Sequence, residues 1–295
     1  MRWQDFRRSD NIEEGSAPGG GGYGFGMPVR LSGGVIVIAV IVGLLFGVNP
    51  LDMLSALMGG GGPVVQQAPA PTPSQGGQRA GVADPRRDFV SAVLGSTEDV
   101  WSKIFQEMGS RYDPPTLHLF KGAVRSACGM ASEASGPFYC PGDRRVYLDT
   151  DFFDELDRRF KAPGDFAQGY VIAHEVGHHV QNLLGIMSKY DAQARTLDPR
   201  GRNALSVRLE LQADCFAGVW GHNVQAMQKL DPGDVEEGLR AASAVGDDNI
   251  QRSMQGRVVP DSFTHGSAEQ RVRWFRTGFD SGDVRACNTF GARGP

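Results

Sequence analysis

A histidine–glutamate–histidine pattern, His174-Glu175-Val176-Gly177-His178, is the strongest chemical signal in the chain. Residues four apart lie on the same face of a helix, so both imidazoles can bind one metal ion. Glu175 lies beside the first histidine, where its carboxylate can reach a water molecule on a zinc ion. The pattern therefore predicts His174 and His178 as zinc ligands and Glu175 as a catalytic general base. The competing interpretation is an amphipathic helix that carries surface histidines.

An acidic pair further along the chain supplies a candidate third ligand. A catalytic zinc usually has three protein ligands and one open position. Glu210 and Asp214 are four residues apart among largely apolar neighbours, which indicates a mostly buried helix. Because buried carboxylates need partners, we predict that Glu210 binds the zinc. Asp214 would then accept a hydrogen bond from the far nitrogen of a ligating histidine and fix its tautomer. The alternative is an acidic pair that faces solvent.

Helical patterns carry both groups of residues. The zinc helix is predicted over residues 165–184, with Asp165 near its start and Gly185 as its stop. Further helices are predicted over 87–108, 152–160, 204–228, 235–245 and 268–278, strands over 117–124 and 145–149, and a loop over 246–264. Strands that come early and helices that come late predict an α+β fold.

The segment before this domain contains an apolar stretch. Residues 31–48 are 18 consecutive uncharged residues, close to the minimum length for crossing a bilayer. Four arginines precede the stretch, and the next basic residue is Arg79. The positive-inside rule therefore predicts a transmembrane helix over 31–48 behind a cytoplasmic Gly-rich tail over 1–30. A cleaved signal peptide is the alternative, but the leader is long and no small-residue cleavage site ends the apolar stretch.

Residues 49–84 are rich in glycine and proline and are predicted to form a flexible linker. The catalytic domain then covers 85–295. This organisation predicts a single-pass protein of the bacterial cell membrane, attached through one helix, with its catalytic domain outside the cytoplasm. The formal net charge of −4 gives no indication of a nucleic-acid partner.

Four cysteines, Cys128, Cys140, Cys215 and Cys287, all follow the apolar stretch. An even number outside the cytoplasm predicts two disulfides, with three pairings possible. We favour Cys128–Cys140, because a loop containing Gly, Ser and Pro separates them, and this leaves Cys215–Cys287. A second metal site is the alternative, although the chain has no Cys-x-x-Cys pair.

Four segments together resemble the bacterial putative neutral zinc metallopeptidase family. They are residues 138–141, 146–149, 174–179 and 212–218, and the resemblance extends over about residues 85–292. The HEVGHH and ELQAD segments also look like the gluzincin type of zinc metallopeptidase. The resemblance implies a zincin-like domain, mostly helical with a small sheet, behind one N-terminal membrane helix and with one Zn²⁺ per chain.

The segment Thr264-His265-Gly266-Ser267, followed by Arg271, is similar to the Thr-His-Pro-Ser…Arg segment of membrane-associated gluzincins. Gly266 stands where that pattern has proline, which puts the local turn in question. The resemblance implies that His265 lies near the active site, where it stabilises an oxyanion, supports a ligand or gates access. The alternative is a structural histidine. His179 is one residue off the ligating face.

These residues together predict zinc-dependent hydrolysis of a peptide or protein substrate. Glu175 would take a proton from water and pass it to the leaving nitrogen. The substrate is predicted to lie extended along residues 145–149 as an edge strand. One alternative is a membrane-anchored assembly protein with a structural zinc, which would not need Glu175. The other is a latent peptidase, blocked by the 246–264 loop or by His265 as a fourth ligand.

Overall fold

The computed structural model describes residues 1–15, 84–132 and 136–291. Its helices are α1 (Pro85–Glu107), α2 (Phe152–Arg158), α3 (Asp165–Leu183), α4 (Ile186–Ala194), α5 (Pro199–Ala226), α6 (Asp234–Ala244), α7 (Asp247–Gln255) and α8 (Ala268–Ser281). Its strands are β1 (Ile12–Glu14), β2 (Thr116–Phe120), β3 (Ala123–Ser126), β4 (Gly129–Ser132), β5 (Phe138–Cys140) and β6 (Arg145–Asp149). The predicted α+β class, mostly helical with a small sheet, is confirmed.

The four-stranded sheet has the order β1-β2-β6-β5. β1, β2 and β6 are parallel, and β5 is antiparallel to β6. The prediction that residues 145–149 form an edge strand is wrong, because β6 is paired on both sides. Its residues Val146, Tyr147 and Leu148 are all buried, as expected for a strand covered on both faces. The two edges of this four-stranded sheet are β1 and β5, and β3 and β4 form a separate two-stranded antiparallel sheet.

The helix α3 lies at the centre of the domain and contacts α1, α5, α6 and β5. Its apolar residues Phe166, Ile172, Val176 and Val180 are buried, which explains why an amphipathic pattern was visible in the sequence. Asp165 lies in its first turn, where a negative charge stabilises the helix dipole. The strong burial fixes the orientation of the side chains that α3 presents to α5.

Caps define where the two other site-forming helices begin. In α5, the Asp198 side chain accepts a hydrogen bond of 2.7 Å from the backbone N–H of Gly201, and Pro199 occupies the first turn. In α8, Ser267 and Gln270 form a reciprocal capping box. α8 packs along α5, so the start of α8 is held close to the middle of α5.

Residues 1–15, here called the N-terminal arm, belong to the same folded unit. Met1, Phe6 and Ile12 are buried in the main hydrophobic core. The α-amino group of Met1 lies 2.8 Å from Asp165 and 3.0 Å from Asp234. β1 of the arm pairs with β2, so the arm completes the sheet.

This arrangement differs from the predicted separate tail over 1–30, because the first part of that tail is packed into the fold. The predicted transmembrane helix over 31–48 and nearly all of the linker over 49–84 lie outside the described residues. Within the ranges 1–15, 84–132 and 136–291, no helix has the length and apolar character needed to cross a membrane.

Two other predicted segments differ from the structure. The predicted strand over 117–124 is interrupted, because β2 ends at Phe120 and Gly122 adopts φ +82° in the turn before β3. The predicted loop over 246–264 contains α7, which ends at Gly256 with φ +67°. Most of α7 is polar and only partly buried, so its sequence carries little apolar periodicity.

Both favoured disulfides are formed. Cys128–Cys140 joins the turn between β3 and β4 to the end of β5. Cys215–Cys287 joins α5 to the segment after α8. The second bridge spans 72 positions and therefore fastens the C-terminal segment to the helix that carries Glu210.

Candidate metal centre

His174, His178 and Glu210 converge between α3 and α5. One donor atom from each lies within 4.8 Å of the others. The Nε2 atom of His174 is 3.2 Å from Glu210 Oε2, and the Nε2 atom of His178 is 3.5 Å from Glu210 Oε1. Two imidazoles and one carboxylate are a donor set that catalytic zinc sites use, so these residues fit a zinc ion. The three side chains are largely buried, which limits competition from solvent.

The far nitrogen of His174 is held by Asp214, at 2.9 Å from Nδ1 to Oδ1. A carboxylate only accepts, so Nδ1 of His174 carries a proton, and Nε2 is the ring nitrogen that faces Glu210. Asp214 also accepts hydrogen bonds from Tyr170 Oη at 2.5 Å and from the Arg271 guanidinium. The structure therefore brings Asp214 to the far nitrogen of His174.

Electrostatics reinforce this pairing. Burial opposes the charge on Asp214, but Arg271 and His174 outweigh it and lower the pKa of Asp214 to about 2. Burial likewise disfavours a charged His174, but Asp214 outweighs that effect and raises the pKa of His174 to about 10. A metal ion that binds to the metal-free protein must therefore displace a proton from His174.

His178 is oriented by a neutral group instead. Its Nδ1 atom lies 2.9 Å from the side-chain oxygen of Gln181, one turn further along α3. Gln181 was not predicted as a site residue. Its spacing of three residues from His178 was a usable signal, because side chains at that spacing share a helix face.

Glu175 lies between the two histidines in sequence and is 8% exposed. Burial raises the pKa of Glu175, against the opposing influence of His174 and His178. A carboxylate with a raised pKa is a better proton acceptor near neutral pH than an exposed one.

His265 lies at the start of α8 with its Nδ1 atom 3.2 Å from Asp247 Oδ1. The other carboxylate oxygen of Asp247 accepts the backbone N–H groups of Thr264, His265 and Gly266 at 2.7, 2.7 and 3.0 Å. Gly266 adopts φ +101°, a conformation that proline cannot adopt. The local turn at Gly266 therefore requires glycine where the resembling pattern has proline.

His265 is electrostatically coupled to the metal ligands. Burial raises the pKa of Glu210, but His178 and His265 outweigh it and hold that pKa well below its ordinary value. The His265 side chain is 24% exposed, so its ring is open to the surface on one side. Asp247 was missed in the sequence, because 18 residues separate it from His265 and no local pattern links them.

The three remaining histidines lie away from this cluster. The Nε2 atom of His179 donates to the Asp113 carbonyl at 2.6 Å, and its Nδ1 accepts from the Tyr139 hydroxyl at 3.0 Å. His222 bonds a backbone carbonyl in α8, and His118 is a residue of β2. The two ring nitrogens of His179 are therefore both engaged by groups other than the metal ligands.

A helix with the HExxH pattern and a glutamate from a second helix define a zinc-peptidase type of site. The chain belongs to the putative neutral zinc metallopeptidase family, whose profile matches residues 1–290. The matched range includes the N-terminal arm.

Two relatives show how far the similarity extends. The chain is 48% identical over 295 residues to the uncharacterized protein YpfJ of Escherichia coli, with 99% of each chain covered. It is 42% identical over 221 residues to the uncharacterized protein Rv2575 of Mycobacterium tuberculosis, covering 71% of this chain and 73% of the relative. No solved structure matches the chain.

Proposed function

We propose that the protein is a zinc-dependent peptidase with a zincin-like catalytic domain that hydrolyses peptide bonds. The convergence of His174, His178 and Glu210, with Glu175 beside the first ligand, carries the proposal. The family name supports zinc as the cofactor. A purely structural zinc site would not require a buried carboxylate of raised pKa next to its ligands.

When bound, zinc would supply Lewis-acid polarisation of the scissile carbonyl and lower the pKa of water. Glu175 takes the proton from the attacking water on its carboxylate and delivers it to the leaving nitrogen. Asp247 orients His265 through Nδ1, which leaves Nε2 available to the substrate. Burial opposes the charge, but Asp247 and Glu210 raise the pKa of His265, so its Nε2–H can donate to the developing oxyanion.

The strand β5 replaces β6 as the proposed docking strand for an extended peptide. It is an edge of the described sheet, so its free backbone groups can pair with a substrate strand. Tyr139 of β5 accepts a hydrogen bond of 2.9 Å from Asn182 of α3, which ties the strand to the helix of the metal ligands. A substrate on β5 would therefore be held in fixed relation to Glu175.

We also propose that the domain works outside the cytoplasm, because its two disulfides persist in oxidising compartments. The N-terminal arm is packed on the domain, so both occupy the same side of any membrane. A single membrane crossing by residues 31–48 would place the arm and the domain on opposite sides of the membrane, so it is not compatible with this packing. We therefore propose that the arm lies outside the cytoplasm with the domain, in place of the predicted cytoplasmic tail.

Cysteine labelling tests this arrangement. Asp10→Cys in the arm and Glu269→Cys on α8 both introduce an exposed thiol. A membrane-impermeant maleimide should label both variants in intact cells. Labelling of Glu269→Cys with protection of Asp10→Cys until lysis would show that the arm is cytoplasmic.

The enzymatic proposal is tested with full-length wild type and Glu175→Gln, using Glu269→Gln as an exposed control on α8. Zinc content and cleavage of an unstructured protein are measured together. We expect one zinc in all three proteins and cleavage in wild type and the control, with Glu175→Gln inactive. Equal cleavage by Glu175→Gln contradicts the proposed base. One zinc without cleavage in any protein favours the assembly or latent form over an active peptidase.

A further inference from the structure

A chain of buried amides runs from His178 to the C-terminal segment. The His178 Nδ1 atom is 2.9 Å from Gln181 Oε1. The Gln181 side-chain nitrogen donates to Gln212 Oε1 at 3.1 Å, and also to the backbone carbonyl of Leu209 at 2.7 Å. The Gln212 side-chain nitrogen donates to the backbone carbonyl of Cys287 at 2.9 Å. Both glutamines are almost fully buried, so each contact lies away from solvent.

Backbone carbonyls at Cys287 and Leu209 fix the direction of every link in this chain. A backbone carbonyl can only accept, so the Cys287 carbonyl requires the NH₂ group of Gln212 to face it. The oxygen of Gln212 must then face Gln181 and accept from its NH₂ group. The oxygen of Gln181 is left facing His178, where it can only accept. The Nδ1 atom of His178 must therefore carry a proton, and Nε2 is the ring nitrogen that faces Glu210.

The terminal carbonyl is itself held firmly. Cys287 is disulfide-bonded to Cys215 of α5 and is 1% exposed. Two residues later, the Thr289 hydroxyl donates to the Arg208 carbonyl at 2.6 Å, which fastens the same segment to the same helix. Glu210 and Gln212 are neighbours on α5, so one rigid helix positions both a ligand and the amide chain.

We infer that Gln181 and Gln212 are positioning residues that hold a proton on Nδ1 of His178, with their own orientation set by the Leu209 and Cys287 carbonyls. This inference rests on the proposed function, because a proton on Nδ1 leaves Nε2 of His178 as the nitrogen that would bind zinc. The two histidine ligands then differ in the groups that orient them. His174 is oriented by a charged pair, Asp214 and Arg271, whereas His178 is oriented by neutral amides that add no net charge to the site.

The test uses full-length Gln181→Met and Gln212→Met, since methionine keeps the chain length but cannot form these hydrogen bonds. Gln168→Met is the matched control, because Gln168 lies on the same helix α3 and outside the amide chain. Two quantities are measured for each protein. One is the protonation state of the His178 ring nitrogens in metal-free protein, by long-range ¹H–¹⁵N NMR of histidine-labelled samples. The other is zinc affinity by competition with a chromophoric chelator.

We expect metal-free wild type and Gln168→Met to keep a proton on Nδ1 of His178. Gln181→Met should lose this preference, and Gln212→Met should only weaken it, because the Leu209 carbonyl still orients Gln181. Removing a hydrogen-bond partner of a metal-binding histidine weakens metal affinity by about 10- to 100-fold, which we expect for Gln181→Met. For Gln212→Met we expect a smaller loss in the same direction.

An unchanged tautomer in both amide-chain variants overturns the inference. An equal loss of zinc affinity in Gln168→Met also overturns it, because the effect would then be general to α3. If the wild type bound no zinc, the proposed function would fail, while the NMR result on metal-free protein would still decide whether the amide chain sets the tautomer.

Discussion

Arg271 binds both carboxylate oxygens of Asp214, from Nε to Oδ2 at 2.9 Å and from Nη2 to Oδ1 at 2.8 Å. Asp214 has no solvent exposure and Arg271 is 4% exposed, so each charge depends on the other for its compensation. The pair connects α8 to α5, and through His174 it reaches the metal ligands on α3.

Breaking this pair on one side is expected to destabilise the protein strongly. Arg271→Met removes the guanidinium from a buried carboxylate and leaves His174 as its cationic neighbour, which costs about 3–5 kcal/mol in the free energy of unfolding. Asp214→Asn combined with Arg271→Met removes both charges and should recover part of that loss. Urea unfolding of the metal-free proteins measures both effects. If the double variant is less stable than Arg271→Met, the two residues do not act as a compensating pair.

The pairing of Asp247 with His265 gives a prediction about rate rather than stability. His265→Ala should lower kcat by about 10²- to 10³-fold, the usual effect of removing one oxyanion donor. Zinc content should stay at the wild-type value, because His265 is not among the three converging ligands.

His222→Ala is the control for this experiment, since His222 bonds only a backbone carbonyl of α8 in the structure. Steady-state hydrolysis and metal analysis are compared for both variants. A normal kcat in His265→Ala would remove His265 from the catalytic machinery. A loss of zinc in His265→Ala would instead assign it as a ligand.

Local patterns predicted the parts of the site that lie within single helices. His174 and His178 share one face of α3, and Glu210 and Asp214 share one face of α5, so spacing alone placed each pair. That the two pairs meet depends on α3 and α5 packing together, which the sequence indicated only through buried carboxylates that need partners.

Contacts between distant segments could not be predicted in the same way. β1 pairs with β2 across about a hundred residues, with Ile12 opposite Leu117. Periodicity reports which face of an element is buried, not which segment covers it. The strand β6 carried a readable signal, because the consecutive apolar residues 146–148 are typical of a central strand rather than an edge.

The N-terminal arm packs closely on α1, so we expect that adding one methyl group at the contact, by Gly95→Ala, weakens the attachment of the arm. A Cβ atom on Gly95 would clash with the carbonyl oxygen of Arg7. Gly95→Ala therefore cannot be accommodated without moving the arm, and overpacking of this kind costs about 1–3 kcal/mol. We expect a lower melting temperature and faster trypsin cleavage after Arg7 and Arg8.

Ser102→Ala, on the exposed face of α1, is the control for this substitution. It should leave both the melting temperature and the cleavage of the arm unchanged. Equal resistance of the arm to trypsin in wild type and Gly95→Ala would mean that the arm does not depend on this contact. Truncation at residue 85 is expected to be more damaging than either substitution, because it removes Met1, Phe6 and Ile12 from the core.

Tyr139 predicts how stability changes at alkaline pH. Burial raises the pKa of its phenol to about 12 from an ordinary value of 10.0. The folded state therefore favours the neutral phenol, so its contribution is complete below pH 10 and is lost as the pH rises toward 12. The rise in the pKa of Tyr139 from 10.0 to about 12 corresponds to about 2 kcal/mol of unfolding free energy, after allowing for partial exposure.

Urea unfolding at a series of pH values between 8 and 12 measures this loss, where the range follows from the two pKa values of Tyr139. Tyr139→Phe should be less stable near pH 8, because its hydrogen bonds with His179 and Asn182 are lost. Its stability should fall less steeply above pH 10. Burial, followed by the contact with Asp143, also raises the pKa of Tyr147 to about 12, so Tyr147→Phe should flatten the curve independently. An alkaline slope in Tyr139→Phe equal to that of wild type would show that the Tyr139 phenol does not contribute.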